Sequence, residues 1–224
     1  TSRAKDLRNL FYGCTSLQSV DLSQLDMSNV TSMRGMFTDC KNLKSVNLAG
    51  IDTSNVTDMS SMFSYCQSLE SIDLSQLNTT NVTDMRSLFY GCKKLGSIDL
   101  SSFKTENVTD VAWMFYGCEA LKSINLSGLD MSSVTDMSNM FASCKSLESI
   151  NLQGINTSNA TNMGWMFSGC ESLKNIDLSD LDTLNTANMT SMFDGCKSLS
   201  NIDISKLDTS NVTSMAAMFA NCES

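Results

Sequence analysis

An α/β solenoid is the fold class this sequence predicts: a right-handed stack of about eight 26-residue coils, with short parallel strands on a concave face and short helices on a convex face. Three observations point to it. Cysteines fall at 14, 40, 66, 92, 118, 144, 170, 196 and 222, an even spacing without one insertion, and a phenylalanine stands three places before each one. Within a unit the apolar spacing switches from a helical to a strand period. Neither piece can bury its apolar face inside so short a unit, so successive units must stack and pack only against their neighbours.

The helix comes first. Met59, Met62, Phe63 and Cys66 are spaced i, i+3, i+4, i+7, which puts all four on one face of a short helix. Thr57 and Asp58 precede it, one a hydroxyl suited to capping open N–H groups and the other an acid suited to the helix dipole. Gly91, Gly117, Gly169 and Gly195 each precede a cysteine, as a left-handed residue closing a helix would. The strand follows. Ile72 and Leu74 alternate with Ser71 and Asp73, a short strand with one face buried.

Strands in a parallel ladder lie roughly 4.8 Å apart and packed helices about 8–10 Å apart, so the stack should curve with its strands inside. A propeller blade would need four strands per unit, and there is room for one. The whole segment, 1–224, reads as one repeat domain: a partial first repeat over 1–14, then eight repeats over 15–222. It starts and stops in mid-repeat, as a fragment of a longer protein would, leaving flanking residues or dimerisation to cover the open ends.

Composition excludes several function classes. The net charge of −9 disfavours nucleic acid, whose binding rests on Lys and Arg neutralising phosphates, and disfavours an anionic membrane surface equally. No apolar run approaches the ~20 residues needed to span a bilayer, so no membrane insertion is expected of this segment. There is no histidine, which removes the commonest general base and the commonest metal ligand together. Catalysis needs a unique constellation, whereas every acid and thiol here is repeated. The expectation is no enzyme, no cofactor and no bound metal.

The recurring cysteine reads as a small apolar residue completing the inner helix face. Helix spacing disfavours disulfides between coils, and no Cys-x-x-Cys or Cys/His pair offers a zinc site. Sixteen methionines are explained the same way, since fourteen fall in the two columns of Met59 and Met62, while Met27 and Met131 stand where other units have Thr. Asn-x-Thr matches such as Asn55-Val56-Thr57 resemble glycosylation sites. Their fixed column fits better with side chains that close the link.

Residues 50–75, "GIDTSNVTDMSSMFSYCQSLESIDLS", resemble the 26-residue repeat of bacterial surface proteins grouped with the BspA-like leucine-rich repeats. Leu69-x-x-Ile72-x-Leu74-x-x-Leu77 is also similar to the general leucine-rich-repeat core, and the likeness runs from Leu7 to Cys222. It departs where many such repeats place Asn, because that column holds Leu, Ile or Phe103. The asparagine ladder must then be absent or moved, to Asn29, Asn55, Asn81, Asn107, Asn159, Asn185 and Asn211. The resemblance implies a non-enzymatic, extracellular module on a bacterial cell surface, its signal and anchor outside this segment. It further implies adhesion to protein or glycan partners on host or other microbial cells, with no fixed contact residues.

Two candidate surfaces follow from the column assignments. Asp21, Asp73, Asp99, Asp177 and Asp203, in one column with Asn47, Asn125 and Asn151, should form a polar, negative stripe on the concave wall. On the convex side Trp113 and Trp165 replace small residues, with Tyr90 and Tyr116 on one helix flank and Tyr65 on the other. Helix spacing would put the two Trp roughly 16–20 Å apart. Lysines after the cysteine, including Lys93, Lys145 and Lys197, should line one rim. The rival to an adhesive module is a structural spacer, for which near-identical coils suffice. A flat Thr array for ice binding is a weaker alternative, resting on the column of Thr53, Thr79, Thr105, Thr157, Thr183 and Thr209.

Overall fold

In the computed structural model, which describes residues 3–224, the 26-residue period becomes a spatial step. Six short strands form: β1 (Ser19–Asp21), β2 (Ser45–Asn47), β3 (Ser123–Asn125), β4 (Ser149–Asn151), β5 (Asn175–Ile176) and β6 (Asn201–Ile202). They pair in parallel as β1–β2, β3–β4 and β5–β6, each residue opposite its equivalent one coil on, as Ser19 lies opposite Ser45. A second line of parallel bridges runs from Asp6 through Ser32, Asp58, Asp84, Asp110, Asp136, Asn162 and Asn188 to Ser214.

The helices expected on the convex face are absent among the described residues. The segment from Met59 to Cys66 is a ribbon of overlapping β-turns instead. Met62 N–H donates to Met59 C=O, Ser64 to Ser61 and Cys66 to Phe63, while Ser61, Phe63 and Tyr65 donate to Arg86, Leu88 and Tyr90 of the next coil. Even-numbered amides close turns and odd-numbered ones bond across coils, so the segment's donors are satisfied without a helix. Such turns need a left-handed residue every fourth position, met here by Ser61 (φ 57°) and Tyr65 (φ 59°). Gly91 is left-handed too (φ 68°), but it sits inside the Phe89–Cys92 turn and closes no helix. Nor do Thr57 and Asp58 cap one: the Thr57 hydroxyl donates to Thr31 C=O, and the Asp58 carboxylate accepts the Ser60 N–H.

The ribbon removes the premise for strong curvature. Its Phe rings step by 5.2–5.7 Å per coil, close to the roughly 4.8 Å of a β-ladder. Both sides of each coil thus advance by nearly the same amount.

Between the strands and the ribbon lies the core. The rings of Phe37, Phe63, Phe89, Phe115, Phe141, Phe167 and Phe193 are fully buried and stacked, flanked by the Met, Leu, Val and Cys columns. Corners are made by Asx side chains. Within one unit, Asp52, Asp58 and Asp73 accept N–H groups from Ser54, Ser60 and Ser75, two residues on.

The links are tied coil to coil. Asn55, Asn81, Asn107, Asn159, Asn185 and Asn211 each donate a side-chain amide to a carbonyl of the preceding coil, at 2.6–2.8 Å. This is the relocated asparagine ladder. Ser133 stands in that column where Asn is missing and donates to Glu106 C=O at 2.6 Å. The Thr column turns inward: Thr53, Thr79, Thr105, Thr157 and Thr183 are buried. Thr209 in the last coil is exposed, but with the other five buried the column offers no array of hydroxyls to ice.

Candidate functional site

The exposed aromatic departures from the repeat gather on the turn ribbon, whereas Leu184, an exposed apolar departure, lies apart from them on the link. Trp113 and Trp165 are exposed, at 38% and 39%, and both have left-handed backbones (φ 56° and 57°). That conformation costs an ordinary side chain roughly 1–2 kcal/mol, so neither Trp is there because the backbone favours it. The ribbon also shortens the coil step: the Phe115, Phe141 and Phe167 rings advance by 5.5 and 5.7 Å, so the two coils that separate the Trp span about 11 Å. The wider separation expected from helix spacing is therefore corrected. Trp113 and Tyr116 are the two ends of one β-turn, with Tyr116 N–H donating to Trp113 C=O at 3.1 Å.

Tyr90 and Tyr116 stack at 4.8 Å and 7° between planes, and Tyr65 meets Tyr90 edge-on at 5.0 Å and 65°. Tyr65 occupies a column that holds Gly at 13, 91, 117, 169 and 195. Its ring lies over Gly91, where an added Cβ would come within 2.9 Å of Tyr65 Cδ1. Burial, with the neighbouring Tyr65 phenol, pushes the Tyr90 hydroxyl up to about 12.

Beside the tyrosines runs a charged wall that sequence reasoning missed. Lys93 Nζ lies 3.1 Å from Glu119 Oε1, and Lys145 Nζ lies 3.6 Å from Glu119 Oε2. Two coils further on, Lys197 pairs with Glu171 at 3.1 Å. The signal was present: from 93 to 197 this column reads Lys, Glu, Lys, Glu, Lys. The rim is an alternating ion ladder in place of a lysine row. Its lysines hold the Glu119 carboxyl below the usual range, the Lys93 hydrogen bond foremost. Tyrosines, glycines and ion ladder together line a cleft of about 230 Å³.

Asp21, Asp73, Asp99, Asp177 and Asp203 are exposed beside the strand column, and their carboxylates are already engaged. Each accepts an N–H from the serine two residues on, at 2.8–2.9 Å. Bonds from that serine lower all five carboxyls from the ordinary value, its hydroxyl foremost at Asp73 and Asp203 and its N–H foremost at Asp21, Asp99 and Asp177. Asn47 adds a bond across coils, its amide donating to Asp21 at 3.0 Å. A shallow cleft of about 410 Å³ crosses the strand face over Ser97, Ser123, Asn125, Ser149 and Asn151.

The thiols form no reactive centre. Seven cysteines are buried and all nine are free, and Cys66 Sγ–H donates to Phe37 C=O of the preceding coil at 3.2 Å, an arrangement repeated along the column. Burial raises Cys92 and Cys144 to about 12. Among the described residues no cluster of three or more Cys, Asp or Glu side chains could hold a metal ion. Nor, among them, is any helix long and apolar enough to cross a membrane.

Comparison with known proteins agrees with this architecture. The family model described as "Mycoplasma protein of unknown function, DUF285" matches residues 5–125 and again 112–224. No curated protein sequence matches. Among solved structures, the leucine-rich repeat protein TpLRR of T. pallidum is similar at 21% identity and a TM-score of 0.51, covering 74% of this chain and 69% of that one. A leucine-rich repeat protein from Bacteroides ovatus aligns at 20% identity and a TM-score of 0.42, over 90% of this chain and 76% of that one. One from Eubacterium ventriosum aligns at 20% identity and a TM-score of 0.49, over 93% of this chain but only 44% of that one. At 21% identity and a TM-score of 0.51, the likeness to TpLRR shows the fold alone. The parallel coil register, the TpLRR match and the doubled family match together place this chain in the DUF285 family, as a leucine-rich-repeat solenoid consistent with the BspA-like surface repeats.

Proposed function

We propose that this chain is a non-enzymatic, extracellular adhesion module of a bacterial cell surface, binding protein or glycan partners through its turn ribbon. The observation that carries the reading is the placement of the aromatic departures. Trp113, Trp165, Tyr65, Tyr90 and Tyr116 lie on one ribbon and leave part of their rings in water. The core beneath is complete without them. Exposed aromatic rings on a rigid surface are the residues that dominate binding energy at interfaces. The solenoid supplies the rigidity, since each ribbon is bonded to the next by backbone hydrogen bonds.

The Asp stripe supports a secondary role at most. With one carboxylate oxygen of each Asp holding a corner, it works first as a structural element. A spacer role is the competing reading, favoured by the uniform coil-to-coil bonding. Capture of host-matrix and microbial surface material by the immobilised chain, repeated with Trp113→Ala and Trp165→Ala, separates the two. Binding that falls at least five-fold in the double variant supports the aromatic face. Unchanged capture refutes it, and no capture by the unaltered chain favours the spacer.

A further inference from the structure

We propose that the cleft beside Tyr116 is a carbohydrate subsite that takes one pyranose ring. The protein displays the mode of occupancy itself. Tyr65 lays a six-membered ring over the bare backbone of Gly91, edge-on to Tyr90 at 5.0 Å and 65°. One coil on, the equivalent place lies over Gly117 and beside Tyr116, and no side chain fills it, because the residue matching Tyr65 is Gly91. An added Cβ on Gly117 would meet only Gly91 Cα, at 3.8 Å. The floor is open.

The walls select the ligand. On one side is the Tyr90–Tyr116 stack, an aromatic wall against which the C–H groups of a sugar can pack. The Lys93–Glu119–Lys145 ladder also lines the cleft and supplies ammonium donors and a carboxylate acceptor for sugar hydroxyls. A phenyl side chain from a partner protein would desolvate those charges and return no hydrogen bonds, whereas sugar hydroxyls satisfy both kinds. The three charges sum to a single positive one, which disfavours a cationic side chain. At about 230 Å³ the cleft lies below the roughly 300–1,000 Å³ of drug-sized pockets and suits a single ring.

The assignment rests on the ribbon being the binding surface and narrows it to one ligand class. Its test uses soluble probes and needs no adhesion. Saturation-transfer difference NMR would be recorded on the chain with methyl mannoside, methyl galactoside, methyl glucoside and N-acetylglucosamine. N-acetyl-tyrosinamide and triproline form a second arm. Transfer to the ring protons of at least one sugar is expected, falling at least five-fold in Tyr116→Ala and persisting in Tyr116→Phe. Gly117→Asn should abolish it while keeping the fold, because Asn221 adopts the same left-handed conformation (φ 55°) in that column. No transfer to any sugar, transfer only to the peptide probes, or transfer unchanged in Tyr116→Ala and Gly117→Asn would each overturn the proposal. A chain that captures surface material but binds none of these sugars loses this subsite and keeps its adhesive reading.

Discussion

Phe89 and Phe115 are one full repeat apart in the chain, yet their rings stack with centroids 5.5 Å apart and planes 8° from parallel. Phe115 meets Phe141 in the same way on its other side, at 5.5 Å. Each ring is thus shared by two coils, and its loss opens both interfaces. Phe115→Ala should cost about 3–5 kcal/mol, measured by urea unfolding. A loss under about 1 kcal/mol, far below that of an ordinary core phenylalanine, would show that the stack is not what joins the coils.

Thr79 and Thr105 occupy one buried column with opposite fortunes. The Thr79 hydroxyl accepts the Lys104 N–H at 2.7 Å and donates to Lys104 C=O at 3.0 Å. Thr105 Oγ1 is buried with no partner, next to the coil where Met131 replaces the usual Thr. Thr105→Val should therefore stabilise by roughly 1 kcal/mol, while Thr79→Val destabilises by about 1–3 kcal/mol. Thermal unfolding of the two variants checks the difference in sign.

The thiols give a labelling pattern and an alkaline limit. At pH 8 an aromatic disulfide reagent should modify Cys14 rapidly and the seven buried thiols only after denaturation. Cys92 and Cys144 bind their protons more tightly folded (about 12) than unfolded (9.0). Their stabilising contribution is complete below pH 9 and is lost as pH climbs toward 12, at about 1.4 kcal/mol per thiol per pH unit. Denaturant midpoints across that range should fall steadily, and less so in Cys92→Ala relative to its own midpoint at pH 8.

Asp110 sits between Asp84 and Asp136 in the bridged column, with Arg86 3.7 Å away. Its carboxyl is raised from the ordinary value, by burial foremost. A raised acid weakens the fold at neutral pH, and the penalty disappears as pH falls through its folded value. Asp110→Asn should remove the penalty and raise Tm by about 1–3 °C at pH 7. Asn162 shows that the column accepts an amide: it takes the Gly164 N–H and donates to Asp136. The gain should shrink at pH 4; a gain independent of pH would contradict the charge argument.

The five corner aspartates of the strand face titrate the other way. Their depressed carboxyls support the fold above 3.8 and stop doing so as pH falls below it. Asp73→Asn should flatten the acid limb of the stability curve slightly, because its Oδ1 can still accept the Ser75 N–H. Asp73→Ala removes that bond and should lower stability at every pH.

Much of this molecule was legible in the residues. The evenly stepped columns of Phe, Cys, Leu and Met named the core, since a position buried in one coil is buried in all that stack on it. The moved asparagine ladder and the exposure of both Trp could be read as well. What the residues left open is how Met59 to Cys66 reaches the core. A spacing of i, i+3, i+4, i+7 is shared by a helix and by a ribbon of turns with a left-handed residue every fourth position. Only the neighbouring coil separates the two: at β-ladder spacing its carbonyls take the odd N–H groups that a helix would keep for itself. The same choice brought the Trp rings closer together and set Tyr65, Tyr90 and Tyr116 beside Lys93, Glu119 and Lys145. That juxtaposition draws on coils far apart in the chain, from Tyr65 to Lys145, and exists only once they are stacked.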